Sequence, residues 1–202
     1  MRLTGCLVVV LGLWTLIWLP LAVGEGTAAE ITEQSIGDPD APVTIIEYSS
    51  LSCPHCARFH TEVLPDLKER YIATGDVRLV FRDFPLTESA VQAAVIAHCA
   101  GPDRYVGFLD VLFQTQASWT QAADPLAALK QLGKLGGLGE DQMDACLSDQ
   151  GMVDGVLQSR LDGQNEHNVQ STPTFVIDGK SYPGTRDVEA FAEIIDPLLG
   201  GS

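Results

Sequence analysis

The sequence predicts an α/β protein in which a block of helices interrupts a small core built around a sheet. An apolar strand, an amphipathic helix and a second strand come first, helical spacing then prevails, and two short strands and a helix close the chain. A core split into residues 31–86 and 168–199, with a helical insertion over 87–167, fits this order better than two consecutive domains.

The first half of the core is predicted as strand, helix, strand. Residues 43–48 are apolar on both faces except for Glu47, as expected of a buried strand, and a polar lead-in over 30–42 precedes them. Residues 76–84 form the second strand. Between the strands, apolar positions take helical spacing from Cys53 onward, at Cys56, Phe59, Val63, Leu67 and Tyr71.

Local side chains predict how this helix begins and where it bends. Ser50 or Ser52 can cap its N-terminus, and Pro54 suits the first turn, where no backbone N–H is needed. Pro65 is expected to kink the helix, because proline lacks the N–H that the preceding turn would bind.

The insertion is predicted as a series of helices separated by Gly or Pro. Phe108, Phe113 and Trp119 recur at helical spacing and are expected to form part of its core. The helices are predicted over residues 87–100, 103–117, 124–135, 139–148 and 150–167.

The second half of the core is predicted to begin with a short strand that runs into a tight turn over residues 171–179. A further short strand covers 180–182, and 187–199 has the spacing of an amphipathic last helix.

The N-terminus has the pattern of a secretory signal. Met1-Arg2 is followed by an apolar run over about residues 7–23 that ends in small residues, so residues 1–24 are predicted to be a signal peptide, with cleavage after Gly24 or, as a second choice, after Ala29. An uncleaved membrane anchor is the alternative, because the run approaches the length that spans a bilayer. Either way the remainder, about 175 residues and enough for one core, is expected to be exported.

The charge balance excludes one class of partner. The formal net charge is −15, and an acidic surface repels phosphate backbones, so no nucleic acid is expected as a partner.

The cysteines suggest two pairs. Once Cys6 leaves with the signal, four remain, and in an oxidising compartment they can pair in three ways. The simplest arrangement is a Cys53/Cys56 redox pair with Cys99–Cys146 as a structural disulfide. Unpaired core thiols at the latter two positions are the alternative.

The pattern Cys53-Pro54-His55-Cys56 indicates a dithiol/disulfide redox centre, since it lies where a strand gives way to a helix. Cys53 is expected at the helix N-terminus, where free N–H groups favour a thiolate, and Cys56 one turn on, pointing inward. His55 can stabilise the thiolate, and the two intervening residues tune the redox balance. A stabilised reduced form makes the disulfide a stronger oxidant.

Metal and haem sites are less favoured by the same pattern. Zinc would need two more ligands at suitable spacing, and covalent haem would need histidine where Ala57 stands. Copper binding by the dithiol remains an alternative, but no metal and no cofactor are expected.

Two segments, Glu47-Tyr-Ser-Ser-Leu-Ser-Cys-Pro-His-Cys56 and Ser171-Thr-Pro-Thr-Phe175, resemble the Dsb-type (DsbA-like) thiol:disulfide oxidoreductases of the bacterial envelope. The similarity covers most of residues 40–198 and implies a thioredoxin fold with an inserted α-helical domain.

The resemblance also implies a role for each matching residue. Cys53 would be the nucleophile and Cys56 the resolving cysteine. Thr172 and Pro173, the latter in the cis form, would line the groove that holds an extended substrate.

Glu47 matches the family's buried acid near the resolving thiol, and it would accept the proton of that thiol. A strand-end role, reaching solvent or pairing with Arg82, is the alternative. His60, His98 and His167 are expected to be surface or packing residues.

The predicted function is therefore an exported oxidase that introduces disulfide bonds into secreted or periplasmic proteins through a mixed disulfide. Its expected partners are unfolded or partly folded exported polypeptides and a membrane quinone-linked reoxidase, and a monomer is expected. The alternatives are a disulfide isomerase or reductase, although no dimerisation domain is evident, and a copper-handling module.

Overall fold

A computed structural model describes residues 31–200. The predicted signal segment, residues 1–24, lies outside this range. Within it, no helix is long and apolar enough to cross a membrane.

One sheet organises the core. Its strands are β1 (Gln34–Ile36), β2 (Val43–Ser49), β3 (Val77–Asp83), β4 (Thr174–Ile177) and β5 (Lys180–Pro183), in the order β1-β3-β2-β4-β5. β2 and β3 are parallel and the other neighbours are antiparallel. The two predicted halves of the core therefore meet in the centre of the sheet, where β2 pairs with β4.

The predicted strands are confirmed to within a residue or two in the first half, and β1 was missed. β1 has only three residues, lies at the sheet edge and pairs with β3 alone, so the polar lead-in carried no alternating pattern long enough to predict it. The tight turn between β4 and β5 is confirmed: Asp178 and Gly179 both have positive φ, as a two-residue hairpin turn requires.

The helical stretch after the redox motif is irregular. It consists of α1 (Pro54–Arg58), a π-helical turn over Phe59–Val63, α2 (Leu64–Leu67) and a second π-helical turn over Lys68–Ile72. Pro54 lies in the first turn, as predicted. Pro65 was expected to kink the helix, and the departure from α geometry stands directly before the short helix that contains it.

The predicted serine cap is wrong. Cys53 itself is the N-cap residue, and no side chain caps the helix. The Ser50 hydroxyl lies 3.2 Å from that of Ser52 and accepts the backbone N–H of Leu86, so it braces the loop instead.

The helical block agrees with the prediction except at one point. The stretch expected over 103–117 is broken at Thr115 into two helices. The helices of the block are α3 (Glu88–Cys99), α4 (Pro102–Gln114), α5 (Gln116–Thr120), α6 (Pro125–Leu135), α7 (Glu140–Ser148) and α8 (Gln150–His167), and α9 (Val188–Leu199) closes the chain.

One large apolar cluster runs through the block and the sheet, and a smaller one forms around Tyr48 on β2. Phe108, Phe113 and Trp119 are buried, as predicted. The block approaches the sheet closely at Gly163 of α8, where a Cβ would stand 2.6 Å from the ring of Tyr48 on β2. The predicted disulfide Cys99–Cys146 is formed and joins the end of α3 to α7.

Candidate active site

The two motif cysteines lie at the junction of the central strand and the first helix. β2 ends at Ser49, a short loop follows, and Cys53 has an extended backbone as the N-cap of α1. Both thiols are free. Cys53 is 7 % exposed and Cys56 is 0 % exposed, so solvent reaches only the first of them. This is the arrangement that the helix spacing predicted.

The loop that carries Cys53 is held by a residue that sequence reasoning missed. The side-chain amide of Gln116, on α5 of the helical block, donates to the carbonyl oxygens of Leu51 at 2.6 Å and of Cys53 at 3.0 Å. Gln116 is buried, so these bonds are shielded from water. The contact spans more than sixty positions of the chain and has no local sequence pattern that could have predicted it.

The predicted cis-proline is confirmed and faces the redox pair. The Thr172–Pro173 peptide bond is cis. Sγ of Cys53 lies 3.3 Å from the carbonyl oxygen of Thr172. The carbonyl of Pro173 accepts the N–H of Gly184 at 2.8 Å, which ties this segment to the loop after β5. The two segments that carried the family resemblance are thus in direct contact.

Several donors lower the pKa of Cys53 to about 5. The largest cause is a hydrogen bond from the Cys56 thiol, followed by the Thr172 hydroxyl and the backbone N–H groups of Cys56 and His55, while burial opposes them. The Thr172 hydroxyl is buried and has no other hydrogen-bond partner among the described residues, so it is free to donate to a thiolate. At neutral pH Cys53 is therefore ionised.

His55 contributes to the Cys53 thiolate through its backbone N–H. Its side chain is exposed, as is Pro54, and the predicted role of its imidazole stays a prediction. Its carbonyl oxygen accepts the hydroxyl of Thr185 at 3.4 Å, so the outer edge of the motif contacts the loop after β5.

Cys56 has the opposite electrostatics. Burial raises the pKa of its thiol well above the usual range, and the hydrogen bond to Cys53 and the nearby charge of Glu47 raise it further. One sulfur of the pair is therefore a thiolate and the other a thiol, and the Cys56 thiol donates a hydrogen bond to the Cys53 thiolate.

Glu47 is fully buried on β2, and its carboxylate is bound by a histidine. The Nε2 atom of His60 lies 3.1 Å from Oε1 and 3.0 Å from Oε2. The strand-end alternative for Glu47 is wrong: Arg82 binds Glu33 instead. His60 was expected at the surface or in packing, and its ring is indeed packed, but the bond to Glu47 was not foreseen.

The other two histidines lie away from the motif. His98 binds Asp83 at 2.7 Å, and His167 lies beside the ring of Tyr48. Within residues 31–200, no group of three or more His, Cys, Asp or Glu side chains could hold a metal ion.

Comparison with known proteins identifies the relatives of this chain. A family model described as "Thioredoxin" matches residues 29–197. The crystal structure of alpha-DsbA1 from Wolbachia pipientis superposes with a TM-score of 0.77 at 32 % identity, over 84 % of this chain and 92 % of that one. The sheet together with its block of helices is accordingly a thioredoxin fold with an inserted α-helical domain.

Curated sequences give a consistent result. A putative protein-disulfide oxidoreductase of Rickettsia felis is 28 % identical over 165 residues, which are 81 % of this chain and 59 % of the relative's length. The disulfide bond formation protein D of Bacillus subtilis is 25 % identical over 170 residues, covering 82 % and 77 %. The chain belongs to the thioredoxin family and, within it, to the DsbA-like thiol:disulfide oxidoreductases.

Proposed function

We propose that this protein is an exported disulfide oxidase, which introduces disulfide bonds into secreted or periplasmic polypeptides. The observation that carries the proposal is the asymmetry of the two sulfurs. Hydrogen bonds stabilise the Cys53 thiolate, and a thiolate exists only in the reduced protein. A stabilised reduced form makes the Cys53–Cys56 disulfide a strong oxidant, so electrons flow from substrate to protein.

The reaction begins with the oxidised pair. A substrate thiolate attacks Sγ of Cys53, the bond between Cys53 and Cys56 breaks, and Cys56 leaves as a thiolate that takes up a proton. A second substrate thiolate then attacks the substrate sulfur of the mixed disulfide. Cys53 leaves as a thiolate, and its low pKa makes it a good leaving group. The substrate has lost two electrons and the protein has gained them.

Thr172 and Pro173 are proposed to bind the substrate beside this sulfur. The Thr172 carbonyl lies 3.3 Å from Sγ of Cys53, so a polypeptide lying along this segment brings its own cysteine within reach. The exposed side chains of Pro54 and His55 border the same surface.

Glu47 is proposed to exchange the proton of Cys56. A buried thiolate without a proton source is costly, and Glu47 is the acid whose charge acts on this thiol. The protonated carboxyl can give its proton to Cys56 when Cys56 leaves, and the resulting carboxylate can take the proton back when Cys56 attacks again.

The cellular setting is also proposed. Residues 1–24 direct export to the periplasm, a membrane quinone-linked reoxidase restores the disulfide, and the protein acts as a monomer. The division into core segments 31–86 and 168–199 and an insertion over 87–167 stays a prediction, as does the assignment of Cys99–Cys146 to a purely structural role.

The redox state in cells tests the direction of the reaction. Cells are quenched in acid, free thiols are tagged with a mass-shifting maleimide, and the Cys99→Ser/Cys146→Ser variant is analysed so that only the motif cysteines report. We expect a mostly oxidised pair. A mostly reduced pair would contradict the oxidase and favour the reductase or isomerase.

Trapping tests turnover through Cys53. The Cys56→Ser variant should accumulate mixed disulfides with exported proteins, because its second cysteine cannot resolve them. The Cys53→Ser/Cys56→Ser variant is the matched control and should trap nothing. If Cys56→Ser traps nothing either, while the purified protein binds copper stoichiometrically, the copper-handling alternative replaces the proposal.

A further inference from the structure

The contact between His60 and Glu47 has an unusual geometry. One nitrogen, Nε2, lies within 3.1 Å of both carboxylate oxygens. When Glu47 is a carboxylate, both of its oxygens can only accept, so the nitrogen between them must carry the proton that they share. Nε2–H is therefore a donor shared by both oxygens of Glu47.

The other ring nitrogen of His60, Nδ1, is buried and lacks a hydrogen-bond partner among the described residues. A second proton there would be an unsatisfied buried N–H, which is unfavourable because the donor loses its bonds to water and gains none. The neutral tautomer with the proton on Nε2 leaves only a lone pair unpaired and avoids burying an extra donor.

The ring is held in this orientation by its neighbours. It stacks on Phe113 with the centroids 4.0 Å apart and the planes 25° from parallel. Phe59 packs edge-on from the same helical stretch, and Phe81 approaches from β3. The ionisable groups around His60 are Cys56 on the same helical stretch, Glu47 on β2 and Tyr105 on α4. The charge of Glu47 also raises the pKa of the Tyr105 hydroxyl.

We infer that His60 is a positioning residue for the proton exchange of Cys56: as a neutral Nε2–H donor it holds both oxygens of Glu47 in place beside the buried thiol. The inference rests on the proposed oxidase chemistry, in which Cys56 must gain and lose a proton. His60 touches neither the sulfurs nor the substrate in this scheme and acts through the carboxylate.

The proton balance follows from this assignment. When the Cys53–Cys56 bond breaks, the protonated Glu47 carboxyl gives its proton to Sγ of Cys56 and becomes a carboxylate, which the Nε2–H of His60 then stabilises. When Cys56 attacks the mixed disulfide at Cys53, the proton returns to Glu47. His60 keeps its single proton throughout, so the pair alternates between neutral and singly negative.

Reaction of the reduced protein with an aromatic disulfide isolates the step in which Cys56 loses its proton and attacks Cys53. With 5,5′-dithiobis(2-nitrobenzoate), Cys53 attacks first and releases one coloured thiolate. Cys56 then loses its proton, attacks Cys53 and releases a second. If the wild-type protein gives only the first release, the proposed function fails and not merely this inference.

Two replacements of His60 distinguish the effect of its N–H donor from that of its packed ring. His60→Phe keeps the stacking on Phe113 and removes the N–H, and we expect its second release to be slower by about 10²-fold, the scale of acid–base catalysis, with a displaced pH profile. His60→Gln restores an N–H toward Glu47 and should return the rate close to wild type. The first release should be unchanged in both, because His60 is not among the groups that lower the pKa of Cys53.

The chain offers a matched control in His98, which binds Asp83 at 2.7 Å away from the redox pair. His98→Phe should lose stability without altering the second release. If His60→Phe behaves like this control, His60 has only a structural role and the inference is overturned. If His60→Gln is as slow as His60→Phe, the imidazole itself exchanges the proton, which also overturns it.

A measurement on the unmodified protein covers the case in which His60→Phe does not fold. Nitrogen-15 NMR of the histidine rings distinguishes the two neutral tautomers and the cation. We expect the neutral Nε2–H form of His60 at neutral pH in both the reduced and the oxidised protein. An imidazolium in either state would contradict the assignment.

Discussion

Cys53 and Cys56 are separated by two residues at the start of one helix, whereas Cys99 and Cys146 are 47 residues apart and join two helices of the insertion. The first pair has a cis-proline segment against it, a buried carboxylate behind it and donors around one sulfur. At the second pair, the side-chain amide of Gln142 donates to the carbonyl of Cys99, and within residues 31–200 no cis-proline segment or buried carboxylate lies against it.

The comparison separates two uses of one chemistry. A disulfide that closes a long loop lowers the entropy of the unfolded chain, and its strength depends little on nearby charge. A disulfide that closes a ring of four residues lowers the entropy of the unfolded chain only a little. Its tendency to be reduced is therefore set by the different surroundings of its two sulfurs. Replacing the cysteines of one pair while the other pair serves as the reference tests this difference.

The largest effect is expected from the attacking sulfur. Cys53→Ser should reduce oxidation of a dithiol peptide to the uncatalysed rate, because no other described thiol is free and reachable. The measurement is substrate disulfide formation followed by mass spectrometry. Cys99→Ser/Cys146→Ser is the reference and should retain activity; its inactivation without unfolding would mean that the second pair takes part in electron transfer.

The next effect is the pH dependence of Cys53. Its pKa of about 5 predicts that alkylation of the reduced protein is constant near neutral pH and falls about tenfold per pH unit below that value, since only the thiolate reacts. Iodoacetamide labelling against pH measures this. A midpoint near the ordinary thiol value would remove the basis for an oxidising disulfide.

The same shift predicts how the stability of the reduced form changes with pH. The pKa of Cys53 in the folded protein lies below the ordinary thiol value of 9.0, so this group stabilises the reduced fold fully above about pH 9, and the contribution is lost as pH falls toward 5. The oxidised form lacks the group. The difference in unfolding free energy between the two forms should therefore shrink steadily on acidification, as denaturant titrations at several pH values would show.

A smaller change is expected from removing the long-loop disulfide. Cys99→Ser/Cys146→Ser should lower the free energy of unfolding by about 4 kcal/mol at most, the entropy of a loop of this length. Cys53→Ser/Cys56→Ser is the reference and should lower the stability of the oxidised protein far less. Equal losses would mean that the short ring stabilises the fold by a route other than chain entropy.

The smallest expected effect compares two glutamines that each bind a cysteine carbonyl. Gln116→Ala leaves the buried carbonyls of Leu51 and Cys53 without their donor and should cost about 1–3 kcal/mol and slow oxidation. Gln142, which binds the carbonyl of Cys99 at 3.3 Å on the exposed surface, is the matched control. Gln142→Ala should change neither the free energy of unfolding nor the rate of oxidation measurably. Similar losses in both variants would show that the bonds of Gln116 to the Cys53 loop have no special role in the redox reaction.

Most of the fold could be predicted because its elements carry strong local patterns. β2 is a buried apolar run, the insertion helices have clear apolar spacing with Gly or Pro breaks, and the Asp178-Gly179 turn is a strong hairpin signal. β1 could not be predicted, since three residues at a sheet edge gain their structure from β3. The break at Thr115 could not be predicted either, since no Gly or Pro stands there to signal it.

Some residues of the site could likewise be predicted from the sequence and others could not. The motif itself indicated Cys53 and Cys56 and their different roles, and the family resemblance supplied Pro173, Thr172 and Glu47. Gln116 and His60 were missed because their partners come from distant elements. A histidine four residues after Cys56 on a helical face was a signal in retrospect, but without the position of β2 nothing indicated that it would meet Glu47.

The wide helical turn over Phe59–Val63 has a consequence for chain length in this region. The N–H of Leu64 binds the carbonyl of Phe59, five residues back, so the turn holds one residue more than an α-helix would. Removing one of its exposed positions, such as Thr61, would give this bond the four-residue spacing of an α-helix, so Leu64 and Leu67 would keep the face that they present to the core. The same deletion in a regular α-helix, such as α8, would rotate everything after it by about 100°. A one-residue deletion is therefore expected to be tolerated better in this wide turn than in the regular helices.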